Sequence, residues 1–532
     1  MSPTRREALA QLAALAAVAC ARGVGGSSPD AAADPLDGSI AGYQAGRRRG
    51  RWSAAEVAAA ALHRCMTDGA RYRAIDALDA DVALAAARAS DARLRRGTLL
   101  GPLDGVPLFA KAIYDVYGLP TTGASAEWAK LFPEPVDRDA IEVARMRAAG
   151  AVVLGKTAAD DFAYRGNGTS SRTGQVLNPH DPTGTRTPGG SSAGSAVAVA
   201  TGMAFAALGT DDGGSNRIPA QFTGVVGMKP TFGFVARTGV IPTWPWLDTH
   251  GPLARSVADA ALLLAAIAGA DASDPLSHSE GWSATPLLSL RDDALAGVRL
   301  GIVGVHAPRA QMTAEAVAAW DRALGDLRAA GATVDSFAAP VTRENFRDAF
   351  AAAAAARGDV PVDSRAPAVT ANALLTYFAG RSADPRAAMR LGYPGYRAFY
   401  DVLPATFEDC EPLLGRPLAD DPAGRSFARS RAEVVGRLAS AMRAAGVAAL
   451  VYPTMPFAAP RAVDPWPDVR TPLGYGNWLG LPEVSVPAGI GSDGMPALNL
   501  SVVGRPGEDA RVLAFAHAYE QRSRRFAAPP RA

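Results

Sequence analysis

Helical and strand-like hydrophobic patterns alternate along the first half of the chain. The alanine-rich segment from residue 53 to about 95 carries apolar residues at helical spacing and predicts helices. An apolar run over 105–111 predicts a strand that ends on Lys111. Residues 139–149 predict a further helix with Asp139 as its N-cap, because a glutamate follows three positions later.

The same alternation continues as far as residue 208. A short buried strand is predicted over 151–154, a tightly packed helix of small side chains over 195–201, and another strand over 203–208. Helices and strands that alternate in this way are typical of an α/β fold. The sequence therefore predicts an α/β fold with a central mixed β-sheet covered by helices.

The composition limits the classes of protein that fit. Hydrophobic residues make up 48% of the 532 residues and charged residues 20%, which is typical of a globular enzyme with a sizeable core. Lys and Arg number 54 against 52 Asp and Glu, so the net charge of +2 gives no global field that would attract nucleic acid. One basic cluster is expected to be a solvated loop: Arg47, Arg48, Arg49 and Arg51.

Residues 1–34 are expected to form a separate unit. Arg5 and Arg6 precede an apolar run over 8–19, which is too short to span a bilayer and is typical of a twin-arginine export signal. The Val-Ala-Cys sequence that ends at Cys20 resembles a lipoprotein cleavage site, so lipid attachment there stays open. A Gly-, Ser-, Ala-, Asp- and Pro-rich tether follows. The mature protein is expected to be periplasmic, free or lipid-anchored, with no membrane span.

Cysteine and histidine add little chemistry. Cys65 and Cys410 could form a disulfide in an exported protein, but two isolated buried thiols are the expected arrangement. The six histidines include no pair at helical spacing beside a carboxylate. No metal site is therefore expected.

Two glycine-flanked serines carry the most informative pattern in the chain. Ser191 lies in a Gly-Gly-Ser-Ser turn, and Ser215 follows an Asp-Gly-Gly sequence. Flanking glycines let the backbone approach another molecule closely, and consecutive N–H groups pointed at one spot are what an oxyanion hole requires. Lys111, at the end of its predicted strand, is the candidate base.

These residues resemble the amidase-signature family, whose members cut amide bonds with a Ser, Ser, Lys triad in which one serine carries a cis peptide bond. Lys111 matches the lysine, Ser191 the cis-serine and Ser215 the nucleophile. Further segments resemble family landmarks: 101–107, 148–157, 452–456 and 477–482. The resemblance implies one large domain over 35–532 that hydrolyses a small-molecule carboxylic amide through an acyl-serine, with no cofactor.

The resemblance also implies roles for individual residues. Lys111 would accept a proton from Ser191, and Ser191 would accept one from Ser215 as its oxygen attacks the amide carbonyl. Four backbone N–H groups are expected to hold the oxyanion: those of Asp212, Gly213, Gly214 and Ser215.

Asp211 and Arg217 resemble a structural ion pair of the family. They are expected to shape the loop around Ser215 without transferring protons. Asp212 is a departure, because Thr or Ile is usual at its position. Its carboxylate is expected to point away from the oxyanion or to meet a substrate cation.

Several alternative functions stay open. Residues 150–157 match the phosphate-loop pattern G-x-x-x-x-G-K-[ST], but a helix precedes them and a strand fills the expected cradle. Residues 190–194 match G-x-S-x-G with Ser192 as nucleophile of an α/β-hydrolase-like esterase, but turn formers precede them instead of a strand. A non-catalytic amide-binding protein is a third alternative. The family's glutamine-using amidotransferase subunit is a fourth, which the export signal disfavours because that subunit works in the cytoplasm.

Overall fold

A mixed sheet of eleven strands runs through the part of the chain that the structure describes. This computed structural model describes residues 34–181, 183–278, 284–363, 365–465 and 472–530. The predicted export signal and Cys20 lie outside the described residues.

The strands follow a mixed topology. In chain order they are β1 (Ile75–Leu78), β2 (Pro107–Lys111), β3 (Val152–Thr157), β4 (Thr169–Ser170), β5 (Gly174–Gln175), β6 (Ala206–Thr210), β7 (Val226–Lys229), β8 (His250–Ala254), β9 (Arg299–Ile302), β10 (Thr333–Ser336), β11 (Ala449–Pro453), β12 (Glu483–Pro487) and β13 (Asn499–Val503). The large sheet has the order β1-β3-β2-β6-β8-β7-β12-β13-β11-β9-β10, and β4 pairs with β5 separately. Strand β2 is parallel to β3 and β6, whereas β6 and β8 are antiparallel.

Helices cover this sheet. They are α1 (Ile40–Arg48), α2 (Ala54–Tyr72), α3 (Ala80–Arg96), α4 (Ala126–Leu131), α5 (Ile141–Ala148), α6 (Ala193–Ala200), α7 (Arg217–Phe222), α8 (Val257–Ile267), α9 (Ala284–Leu288), α10 (Ala314–Ala329), α11 (Phe346–Ala356), α12 (Pro367–Ala379), α13 (Pro385–Arg397), α14 (Phe407–Cys410), α15 (Pro422–Ala444), α16 (Leu473–Trp478) and α17 (Asp509–Ser523). Helix α6 packs on β6, α8 on β8 and α17 on β12. The predicted α/β fold with a central mixed sheet is confirmed.

The predicted elements of the first half are present with shifted ends. The helices expected over 53–95 are α2 and α3, but the strand β1 lies between them. Its four residues are too few to show a strand period inside an alanine-rich segment. Strand β6 covers 206–210 instead of 203–208, and β3 extends three residues past the predicted 151–154.

Two predictions about charged side chains are wrong. Asp139 does not cap α5, because its carboxylate accepts hydrogen bonds from the N–H of Tyr117 (2.8 Å) and from Nε of Arg147 (2.9 Å). Arg47 is buried instead of solvated, and its guanidinium pairs with Asp91 at 3.2 Å. Asp91 comes from the next helix but one, so the sequence pattern around the arginines does not reveal it.

The phosphate-loop pattern over 150–157 has no cradle. Helix α5 precedes it and the fully buried strand β3 occupies the space between its glycines. The ammonium group of Lys156 donates to the carbonyl of Pro120 (2.9 Å) and to Oγ1 of Thr121 (3.1 Å). This lysine is therefore part of the protein's interior.

The two cysteines beyond Cys20 are both free and buried, so Cys65 and Cys410 form no disulfide.

Among the described residues, no helix is long and apolar enough to cross a membrane. The same residues contain no group of three or more His, Cys, Asp or Glu side chains arranged to hold a metal ion.

Candidate active site

Lys111, Thr210 and Ser191 meet at one edge of the sheet. Lys111 is the last residue of β2, and Thr210 is the last residue of β6. Because these strands are parallel neighbours, their carboxyl ends lie at the same edge, where ligand sites form in α/β sheets. Ser191 joins them from the turn before α6.

The ammonium group of Lys111 donates two hydrogen bonds. Its Nζ lies 2.7 Å from Oγ of Ser191 and 2.8 Å from Oγ1 of Thr210, and all three side chains are buried. The peptide bond between Gly190 and Ser191 is cis. A Cβ on Gly190 would lie 2.8 Å from Oδ1 of Asp160, so this position accepts only glycine.

Burial controls the charge of Lys111. Loss of water contact lowers the pKa of Lys111 to about 8, although nearby carboxylates oppose this change. Those carboxylates are Asp212, Asp160, Asp211 and Asp248. Burial also raises the pKa of Asp160 to about 7. Lys111 therefore has a large neutral fraction at mildly alkaline pH, as a general base requires.

The loop before Ser215 offers three free backbone donors instead of four. The N–H of Gly214 donates to Oδ1 of Asp211 at 2.7 Å, so it holds the loop and is not available to an oxyanion. Within the described residues, the N–H groups of Asp212, Gly213 and Ser215 donate to no other protein group. The predicted set of donors is therefore corrected by the removal of Gly214.

Ser215 lies closer to solvent than Ser191. Ser215 is 9% exposed and the neighbouring Gly213 is exposed, whereas Ser191 is fully buried. In the part of the chain that the structure describes, no hydrogen bond joins the two hydroxyl groups. Catalytic hydrogen bonds often tighten only when substrate binds, so this spacing is compatible with a relay between the two serines.

Asp211 and Arg217 form the ion pair that the resemblance implies. Nε of Arg217 lies 2.9 Å from Oδ2 of Asp211, Nη2 lies 2.8 Å from Oδ1, and both side chains are fully buried. Nη1 of the same guanidinium also donates to Oε2 of Glu483 at 2.6 Å. Burial alone would raise the pKa of Asp211, but Arg217 holds it well below its usual range. Asp211 therefore remains ionised. Its carboxylate fixes the loop by accepting hydrogen bonds from the backbone N–H groups of Gly214 and Asn216.

Three further residues act on the site: Thr210, Asn477 and Asp248. The sequence gives none of them a role there, although Asn477 belongs to the segment 477–482 that resembles a family landmark. Asn477 donates through Nδ2 to the carbonyl of Asp211 at 2.7 Å. Thr210 ends its strand directly before Asp211, so its position in the sequence could have indicated that it belongs to the site. Asn477 and Asp248 come from distant parts of the chain, and only the fold brings them to this loop.

The side chain of Asp212 is buried, and its expected place away from the oxyanion or beside a substrate cation stays a prediction. It is 9% exposed, and neither carboxyl oxygen accepts a hydrogen bond from a donor among the described residues. It faces the carboxyl group of Asp248, which accepts from the N–H of Thr243 at 2.9 Å. Burial and the charge of Asp248 raise the pKa of Asp212 well above its usual range.

Ser192, the alternative nucleophile, is committed to internal hydrogen bonds. Its Oγ accepts from the N–H of Thr210 at 3.2 Å and contacts Oδ1 of Asn216 at 3.1 Å. Turn-rich backbone precedes it, where an α/β-hydrolase elbow has a strand. The side chain is fully buried, so a substrate does not reach it in this arrangement.

Known proteins resemble this chain over most of its length. The Amidase family model matches residues 56–513. The chain is 35% identical over 500 residues to a glutamyl-tRNA(Gln) amidotransferase subunit of Anaeromyxobacter sp. (strain K), a match that covers 90% of this chain and 94% of that relative. The corresponding protein of Symbiobacterium thermophilum is 36% identical over 501 residues, with 90% and 96% covered. The structure is similar to peptide amidase from Stenotrophomonas maltophilia, with a TM-score of 0.77, 31% identity, and 93% and 99% of the two chains covered.

Proposed function

The chain belongs to the amidase family, and from that premise we propose that it hydrolyses a small carboxylic amide to an acid and ammonia or an amine. The observation that carries the proposal is the hydrogen bond of 2.7 Å between Nζ of Lys111 and Oγ of Ser191. It joins a buried lysine of lowered pKa to Ser191. The turn of Ser191 contacts the loop of Ser215, because the N–H of Ser192 donates to the carbonyl of Ser215 at 3.1 Å.

In the proposed mechanism, Ser215 is the nucleophile. A serine hydroxyl attacks only when a base takes its proton, so neutral Lys111 accepts the proton of Ser191 while Ser191 accepts that of Ser215. Oγ of Ser215 bonds to the carbonyl carbon, the C–N bond breaks, and the relay returns the proton to the leaving amine. Water then attacks the acyl-serine and releases the acid.

The proposed oxyanion hole consists of the N–H groups of Asp212, Gly213 and Ser215. Loss of a single donor of this kind typically reduces turnover by about 100- to 1000-fold. The hydrogen bond from Gly214 to Asp211 supports the geometry, because it holds the middle of the loop while its neighbours stay free. Arg217 keeps Asp211 in place.

Release of ammonia from glutamine within an amidotransferase is a second candidate function. The similarity to two glutamyl-tRNA(Gln) amidotransferase subunits favours it, since each match spans at least 94% of the relative. The side-chain carboxamide of glutamine would then be the amide that Ser215 attacks. The proposed export signal over residues 1–34 speaks against this role, because it would separate the chain from cytoplasmic partners.

A substrate screen on the purified protein tests both candidates. Aliphatic, aryl and peptide amides and free glutamine are compared by release of ammonia or amine, with the Ser215→Ala variant as control. Hydrolysis of several amides that disappears in the variant supports the amidase proposal. A strong preference for glutamine favours the amidotransferase role, and equal hydrolysis by the variant contradicts the assignment of Ser215.

A further inference from the structure

Two carboxyl groups face each other beside the catalytic loop. Asp212 belongs to that loop, three positions before Ser215, and Asp248 follows a buried turn just before β8. Both are at least nine-tenths buried. Of the carboxyl groups that oppose the lowered pKa of Lys111, that of Asp212 has the largest effect.

Three hydrogen-bond donors that interact electrostatically with Asp212 donate to other acceptors. The hydroxyl of Tyr396 donates to the carbonyl of Pro242 at 2.8 Å, and the hydroxyl of Tyr400 donates to the carbonyl of Phe162 at 2.7 Å. The ammonium group of Lys111 donates to two hydroxyl groups instead. Both carboxyl oxygens of Asp212 thus remain without a donor among the described residues.

A cavity reaches the second carboxyl group of the pair. Asp248 lines a cavity of about 380 Å³, which is within the usual size range of small-molecule sites. Arg237 also lines this cavity, but its guanidinium is paired with Asp274 at 2.7 Å. Through Asp248, the carboxyl pair borders a space that can hold a small molecule.

The chemistry of the pair favours an organic cation. Two adjacent buried carboxylates are stable only when a proton or a positive group lies with them. The raised pKa of Asp212 shows that a proton balances the pair in the protein alone, and a bound cation would take its place. A primary ammonium group supplies three N–H donors and one positive charge, which suits acceptors that lack donors. The buried rings of Tyr396 and Tyr400, stacked at 4.3 Å, interact electrostatically with both carboxyl groups, and burial of the pair strengthens the attraction to a cation. A metal ion is less suited, because the described residues offer no group of three ligands.

We propose that the carboxyl groups of Asp212 and Asp248 bind an ammonium group of the substrate, so that the protein prefers amides whose acyl part carries a protonated amine. The inference rests on the proposed amide hydrolysis. In the proposed complex, Asp212 acts through two groups. Its backbone N–H faces the developing oxyanion, and its side chain binds the cation one side-chain length away. The preferred acyl group is therefore a short amino-acyl group.

A homologous series of ω-amino alkanamides of increasing chain length tests the proposal. Each is paired with the neutral alkanamide of the same length, and kcat/KM for ammonia release is measured at a pH where the amine is protonated. We expect at least one length for which the cationic amide is preferred by about tenfold or more. Asp212→Asn and Asp248→Asn should each reduce that ratio by about tenfold, because they remove the charge of one partner. Glu408→Gln, at an exposed ion pair, should leave the ratio unchanged.

The ratio of the two substrates cancels any effect of a variant on the common chemical step. A second measurement needs no variant: an alkylammonium ion should inhibit the wild type more strongly than the matching neutral alcohol. The proposed ammonium site would be overturned if the protein hydrolyses neutral amides and prefers no cationic amide of matched length. It would also be overturned if both Asn variants keep the preference. In either case the proposed amide hydrolysis would still stand. If no amide is hydrolysed and a fluorophosphonate does not label Ser215, the proposed function falls as well.

Discussion

The Nζ atom of Lys111 lies 2.7 Å from the Oγ atom of Ser191, and neither side chain reaches solvent. A protonated lysine can only donate in this contact. It becomes an acceptor for the proton of Ser191 when it loses its own, which burial makes easier by lowering the pKa of Lys111 to about 8. The pH dependence of the reaction follows from this contact.

We expect kcat/KM for amide hydrolysis to rise with pH through a midpoint at about 8 and to level off about one pH unit higher. Below the pKa of Lys111 the amine is protonated and inactive as a base, and above it the neutral fraction approaches one. Four acids oppose the lowered pKa: Asp212, Asp160, Asp211 and Asp248. The measurement is a pH profile of kcat/KM. A profile that reaches its plateau below pH 7 would contradict the lysine base.

Lys111→Ala should reduce amide hydrolysis by about 100-fold or more, in the range usual for loss of a general base. Hydrolysis of a matched ester should fall less, because an alkoxide needs a returned proton less than an amine does. The comparison requires kcat/KM for both substrates in wild type and variant. Wild-type amide turnover in the variant would exclude the proposed relay.

Two neighbouring glycines give a matched test of the oxyanion loop. A Cβ on Gly214 would lie 2.6 Å from Cδ1 of Leu473, and its φ of 121° disfavours other residues, whereas a Cβ on Gly213 would meet nothing within 4 Å. Gly214→Ala should displace the free donors and lower kcat by about 100-fold, whereas Gly213→Ala should leave kcat within a few-fold. Equal effects of the two substitutions would show that the loop is not shaped by Gly214.

Arg217→Met should lower the free energy of unfolding by about 3 to 5 kcal/mol, because it leaves the buried carboxylates Asp211 and Glu483 without their partner. Urea denaturation followed by tryptophan fluorescence measures the change. The control is Arg390→Met, which breaks an exposed pair with Glu408 and should cost less than about 1 kcal/mol. A similar small loss for both variants would mean that the Arg217 network does not stabilise the fold.

Export is tested through the two arginines before the apolar run. Replacement of Arg5 and Arg6 by lysine should retain the precursor in the cytoplasm, because the twin-arginine route requires the pair. Fractionation and immunoblotting of the expressing cells measure the distribution. Mature protein that still reaches the periplasm would exclude this route.

The catalytic candidates could be found from the sequence because their signals are local. Lys111 ends an apolar strand, and the two serines lie between glycines, so each is marked by its immediate neighbours. Asn477 and Asp211 make their hydrogen bond across 266 positions. No periodicity or spacing indicates a contact of that kind.

The fold shows the same difference between local signals, which the sequence reveals, and contacts between distant residues, which it does not. Strand β2 is buried throughout and its apolar run predicts it correctly. Arg47 looks solvated among its basic neighbours, but Asp91 and the carbonyl of Asp104 bind it in the interior. For Asp212, the sequence indicates an unusual residue, but only the fold shows that its carboxyl group faces Asp248.

Identification of the acylated residue tests the central claim most directly. The wild type is quenched during turnover of a slow ester, and the acyl group is located by peptide mass spectrometry, with Ser215→Ala and Ser192→Ala as matched variants. We predict an adduct on Ser215 in the wild type and in Ser192→Ala, and none in Ser215→Ala. An adduct on Ser192, or one that persists in Ser215→Ala, would contradict the account.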